Sequence, residues 1–127
     1  MPRRPTILAA TALLTLAGCG GDGGPDLPPE AAAGRDVVRS NGCASCHGAN
    51  GQGGVGPSFE GLYGSEVELE NGSTVVADRE YLRESILDPK AKIVEGYSLP
   101  MPAADLGEAE VDQIITFIAA LGVDGAT

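Results

Sequence analysis

The stretch Cys43-Ala44-Ser45-Cys46-His47 carries the reading of the whole chain. Two thiols at this spacing with a histidine directly after them form the C-x-x-C-H pattern of covalent haem attachment. The thiols can add to the two vinyl groups on one edge of a porphyrin. The adjacent histidine then lies under the iron and supplies an imidazole nitrogen. Three other readings compete. A redox disulfide also uses C-x-x-C, but it does not need the histidine and expects a strand before it. A zinc site needs four ligands, and only two thiolates and one histidine are at hand here. A chance match in an exported chain of three cysteines is the third. The haem reading uses both thiols and the histidine together, and the expected cofactor is one covalent haem c.

Counting then narrows the site. His47 is the only histidine, so bis-histidine ligation within one chain is excluded. Only two methionines exist, Met1 and Met101. Met1 would leave with an export signal. If the iron takes a methionine as its second axial ligand, that residue is Met101. It sits in Gly96-Tyr97-Ser98-Leu99-Pro100-Met101-Pro102, where prolines on both sides fix the backbone. A rigid loop can hold a thioether at iron with no helix beneath it. A lone methionine is more often flexible core filler, but between two prolines and far downstream of a haem motif Met101 reads as a ligand.

Upstream, Arg3 and Arg4 precede an apolar run from Ile7 to Leu16, then small residues and Cys19. A basic start, a short apolar core and a small-residue zone make an export signal. The run is too short to span a bilayer comfortably. Leu16-Ala17-Gly18-Cys19 resembles the lipobox of bacterial lipoproteins. That resemblance implies cleavage after residue 18 and lipidation of the Cys19 sulfur. Several acyl chains on one residue anchor firmly, where one binds only marginally. The alternative is a plain secretory signal with a chance cysteine. Cysteine arithmetic favours the lipid: with Cys43 and Cys46 on haem, Cys19 is the odd thiol in an oxidising compartment. The chain is thus expected outside the cytoplasm, tethered to a bacterial membrane.

Residues 19–30 then read as the lipidated cysteine and a linker, GGDGGPDLPPE from 20 to 30, rich in Gly, Pro and Asp with no apolar periodicity. A domain of residues 31–122 follows, and residues 123–127 form a tail. The spacing predicts a first helix over 31–40 with Val37 and Val38 inward, ended by Asn41-Gly42. A glycine-rich loop spans 48–56. Asn71-Gly72 predicts a hairpin pairing Glu70 with Ser73 and Val67 with Val76. A helix starts on Asp78 as N-cap and stops at Asp88-Pro89. The last helix, over 108–121, carries an apolar stripe of Val111, Ile114, Ile115, Ile118 and Leu121. The fold class is mostly α with a short β-hairpin.

Composition fits a domain with a thin core. The chain has 127 residues, 43% apolar but only 4% aromatic, with no Trp and 19 Gly. Small domains of this kind usually need a staple, and a covalent haem offers a large flat apolar surface. Net charge is -10. Without Arg3 and Arg4 it would be nearer -12 (6 minus 18). Nucleic acid and direct adsorption to anionic lipid are thereby disfavoured. The acidity either complements a basic docking surface on a protein partner or only keeps the domain soluble.

Over residues 31–121 the sequence resembles class I cytochromes c. The carrying residues are GCASCH at 42–47, GVGPSFEGLYGSEV at 54–67, ENGSTVVAD at 70–78, YLRESILDPKAKIVEGY at 81–97 and PMP at 100–102. More narrowly, it looks like the cytochrome domain fused to subunit II of some bacterial haem–copper oxidases. The resemblance implies that Pro57 gives its carbonyl to the other ring nitrogen of His47, fixing the ring and its basicity. It places Gly34 and Val38 where the first helix crosses the last, near Phe117 and Leu121. Tyr97 would pack near the haem or bond a propionate, or serve as a structural aromatic. One departure stands out. Subunit II carries a copper domain before its cytochrome domain, and nothing of the kind fits between Cys19 and Ala31. The expectation is therefore a stand-alone lipoprotein.

The functional expectation is a monohaem electron carrier with iron held by His47 and Met101, no small-molecule substrate, and no enzyme activity. Its partners would be redox proteins, either an oxidase or an upstream reductase or dehydrogenase. The Cys43/Cys46 side of the haem edge would be the exit for electrons. A haem subunit of a periplasmic dehydrogenase or reductase complex is one alternative. A haem-based ligand sensor, with Met101 off the iron or displaced, is another. Lys90 and Lys92 read as ordinary solvated residues rather than a basic docking spot.

Overall fold

The computed structural model describes Met1 and residues 23–122. The export signal, Cys19, the first residues of the linker and the tail from 123 lie outside the described residues. Four helices and one hairpin follow in order: α1 (Pro29–Ser40), α2 (Ala44–His47), β1 (Glu66–Glu68), β2 (Thr74–Val76), α3 (Arg79–Leu87) and α4 (Glu108–Ala120).

Helix α1 begins two residues earlier than its apolar spacing predicts, with Pro29 as its first residue. Proline is at no disadvantage there, because the first turn's N–H groups lack partners in any case. At the other end the Asn41 backbone and side-chain amides both donate to the Val37 carbonyl, at 3.1 and 2.9 Å. Gly42 then turns the chain at φ +78°, a conformation that costs glycine little. Helix α3 is capped as read: the Asp78 side chain accepts from the Tyr81 N–H at 2.8 Å. Helix α4 opens on Gly107, whose N–H donates to the Glu110 carboxylate at 2.9 Å.

The core forms where α1 crosses α4. Val38, Val111 and Phe117 are fully buried, and the whole predicted stripe of α4 is inside. The crossing is tight because of Gly34. A Cβ added there would lie 1.9 Å from the Gln113 carbonyl oxygen and 2.8 Å from the Phe117 Cβ. Helix α3 packs on the outer side of α4, tied by Arg79–Asp112 at 2.5 Å and by an Arg83–Glu108 ion pair. Both pairs are exposed and add little stability by themselves.

The hairpin corrects one expectation. Val67 pairs with Val75, not Val76, and Glu68 pairs with Thr74. A two-residue Asn-Gly turn needs positive φ at both central positions. Here only Gly72 has it, at +82°, and no non-glycine residue does. The Gly72 N–H donates to the Leu69 carbonyl, and the Leu69 N–H to the Ser73 carbonyl, each at 2.8 Å. This is a three-residue loop with glycine in the left-handed position, which moves the register by one. Val67 and Leu69 are thereby buried, while Glu66, Glu68 and Glu70 face out. On its other side β1 is bridged by residues near Val94, through Glu70 N–H to Ile93 O and Glu95 N–H to Glu68 O, both 2.9 Å.

Part of the stretch read as a linker lies against the domain. Leu27 packs against the core cluster, and Gly24 is half-buried. Leu27 is the one large apolar side chain of that stretch, and burying it holds the segment down.

Candidate cofactor cleft

The end of α1 delivers the chain into α2, a single helical turn. The His47 and Cys46 N–H groups both donate to the Cys43 carbonyl, at 3.0 and 3.2 Å. Residues three and four apart share a face on such a turn, so Cys43, Cys46 and His47 are brought together. Ser45 bonds back to the Gly42 carbonyl at 2.6 Å and locks the turn. Both thiols are half-buried and not joined to each other. Burial pushes the Cys43 thiol above its ordinary pKa, and the neighbouring Cys46 adds to this. A backbone hydrogen bond opposes them. This short helix had no periodic signal in the sequence, because four residues are too few to show one.

His47 is the one buried polar side chain among the described residues, 8% exposed. Its Nδ1 lies 2.8 Å from the Pro57 carbonyl oxygen. A carbonyl can only accept, so Nδ1 is the donor of this bond, which leaves Nε2 as the ring nitrogen free to meet a metal. Among the described residues no group bonds Nε2. The ring stacks on Phe59, centroids 4.6 Å apart and planes 23° from parallel. Phe59 in turn meets Phe117 edge-on at 6.3 Å. The glycine-rich loop makes this possible. The Gly53 N–H donates to the His47 carbonyl at 2.8 Å and the Gly56 N–H to the Cys46 carbonyl at 3.0 Å. A Cβ on Gly56 would lie 2.9–3.2 Å from three atoms of the imidazole.

These groups face a cleft of about 730 Å³. Its walls come from α1, α3 and α4 through Val38, Leu82, Ile86, Ile114 and Ile118. Tyr97, Leu99 and Met101 line it from the loop before α4. Met101 is half-buried, whereas Leu99 is 68% exposed at the mouth. Lys90 and Lys92 also line the rim. Lys90 is exposed and Lys92 pairs with Glu84.

The donor set suits haem. Apolar side chains from three helices line the cleft, two free thiols stand on one turn, and an imidazole lies beside them. The cleft also holds a thioether, a donor that haem iron accepts. A zinc site fits poorly: among the described residues no cluster of three or more His, Cys, Asp and Glu could hold a metal ion. Phe59 and Gly56 escaped the sequence reading as site residues. One signal was available for Phe59, as one of only two phenylalanines and the first aromatic residue after the motif.

Comparison with known proteins adds the following. The cytochrome c family pattern matches residues 31–122. Among solved structures, cytochrome cH from Methylobacterium extorquens aligns with 28% identity over 70% of this chain and 96% of that one, with a TM-score of 0.49. No curated protein sequence matches.

Proposed function

The chain belongs to the cytochrome c family, which makes it an electron-transfer protein with covalent haem c rather than an enzyme, and we propose that it is a membrane-tethered carrier working outside the cytoplasm. When bound, the haem supplies a one-electron iron couple. Cys43 and Cys46 would carry the thioethers, and His47 and Met101 would be the axial ligands. Pro57 orients the imidazole through its carbonyl, and Tyr97 would lie against the cofactor. Cys19 would bear the lipid.

One observation carries the ligand assignment. His47 presents an unbonded Nε2 to a cleft that Met101, the one methionine downstream of the motif, also lines. With His47 and Met101 both holding the iron, the chain would leave no open coordination site for a substrate. A methionine ligand favours reduced iron and raises the potential. That suits delivery towards a terminal oxidase, and the sequence's resemblance to an oxidase-fused cytochrome domain supports the same destination. An acidic protein would dock on a basic partner surface.

The test is Met101→Ala in the matured, haem-loaded protein. The covalent haem should remain, the potential should fall, and the reduced protein should now bind carbon monoxide. An unchanged spectrum and potential would remove Met101 from the iron.

A further inference from the structure

The tether is partly built into the domain. Between residues 23 and 28 only Gly24 and Leu27 are shielded from solvent. Leu27 reaches the core cluster. A Cβ on Gly24 would lie 2.5 Å from the Asn50 Oδ1 and 3.0 Å from a terminal nitrogen of Arg35. Asn50 is itself held, because Arg39 donates to its Oδ1 at 2.9 Å and to the Ala49 carbonyl at the same distance. Two contacts three residues apart thus hold the segment against the core, Arg35 of α1 and the 48–52 loop.

Chain length then limits where a lipid on Cys19 can be. Five residue steps separate Cys19 from Gly24, which fully extended span at most about 18 Å. A tether free up to Pro29 would reach roughly twice as far. The contact face is also separate from the redox opening. Arg35, Arg39, Asn50 and Leu27 do not line the cleft, whereas Val55, Leu99 and the outward glutamates of β1 do.

We propose that the docked segment acts as a short leash that turns the face formed by α1 and the 48–52 loop toward the lipid headgroups and leaves the cleft mouth open to protein partners. The proposal rests on lipidation at Cys19. The domain is thereby oriented on the membrane, with its cleft mouth turned toward a partner.

The experiment uses the matured, lipidated, reduced protein in phosphatidylethanolamine/phosphatidylglycerol nanodiscs that carry a nitroxide on some headgroups. Broadening of backbone amide signals reports distance from the lipid surface. Amides in the 48–52 loop and the first two turns of α1 should broaden several-fold more than those of the hairpin at 66–76. Leu27→Asn, with its visible spectrum unchanged to show an intact domain, should even out that difference. Uniform broadening in the parent protein, broadening centred on the hairpin and Leu99, or a pattern that Leu27→Asn leaves untouched would each overturn the proposal. The intact mass of the same sample separates the two ideas. A missing diacylglyceryl mass on Cys19 would refute the lipid reading and the leash with it, whereas a lipidated protein without preferred orientation would refute the leash alone.

Discussion

His47 is held on three sides by its own chain: the Pro57 carbonyl at Nδ1, the Phe59 ring against one face, and Gly56 too close to permit a side chain. The consequence is preorganisation. The imidazole needs no search for its tautomer or its plane when metal arrives. Gly56→Ala should therefore damage the site rather than the fold's outline. The new methyl must push on the ring or the loop, and overpacking of this kind costs about 1–3 kcal/mol. We expect a lower yield of haem-loaded protein and a reduced thermal midpoint, measured by the absorbance-to-protein ratio and by calorimetry. A variant with parent yield and midpoint would contradict the three-sided hold. At this scale the motif was legible, because C-x-x-C-H is contiguous in sequence. The Phe59 platform was not. It lies twelve residues from His47 along the chain, and only the loop geometry brings the two rings together.

At the scale of elements, the α1–α4 crossing depends on one missing side chain. Gly34→Ala places a methyl 1.9 Å from the Gln113 carbonyl oxygen, which is backbone and cannot rotate away. The helices must separate. We expect a loss of about 3 kcal/mol, read as a lower denaturant midpoint with the α-helical signal retained before the transition. A loss under about 0.5 kcal/mol would mean the helices slide apart freely. The α3–α4 contact has a pH signature instead. The Arg83 guanidinium, hydrogen-bonded to Glu108, holds that carboxyl below its usual range. An acid whose pKa is lowered on folding contributes stability above the carboxylate range and loses it as pH falls through that range. Arg83→Gln should flatten the acid limb of the thermal midpoint measured from pH 3 to 6. The effect should be small and shrink with salt, because both groups are exposed. An identical acid limb in the variant would mean the pair is inert.

Elements with a long period or a clear cap were legible in the sequence. The α4 stripe and the Asp78 cap are where the pattern put them. The hairpin was legible in place but not in register. Asn-Gly announces a turn, but whether Asn71 adopts positive φ depends on the strands it joins. The bridge from β1 to the chain near Val94 was not legible at all. A single ladder pair leaves no alternation to read.

The whole molecule is a thin apolar shell around a cleft of about 730 Å³. Its largest fully buried side chains, Phe117, Ile115, Val38 and Val111, sit at the helix crossing and behind the cleft. A covalent, flat, apolar cofactor fills such a space and staples the domain at once. Among the described residues no helix is long and apolar enough to cross a membrane. Residues 24–28 show how a segment of linker composition can still be structural when it carries one apolar side chain. Composition alone does not reveal whether that side chain finds a place to dock.

The most direct test of the central claim, a six-coordinate haem held by His47 and Met101, is the visible and near-infrared spectrum of the matured protein, oxidised and reduced, with and without carbon monoxide. The account predicts a low-spin spectrum with a methionine–iron charge-transfer band when oxidised, and no response to carbon monoxide when reduced. A high-spin spectrum, or a reduced form that binds carbon monoxide, would mean an open iron and would contradict it.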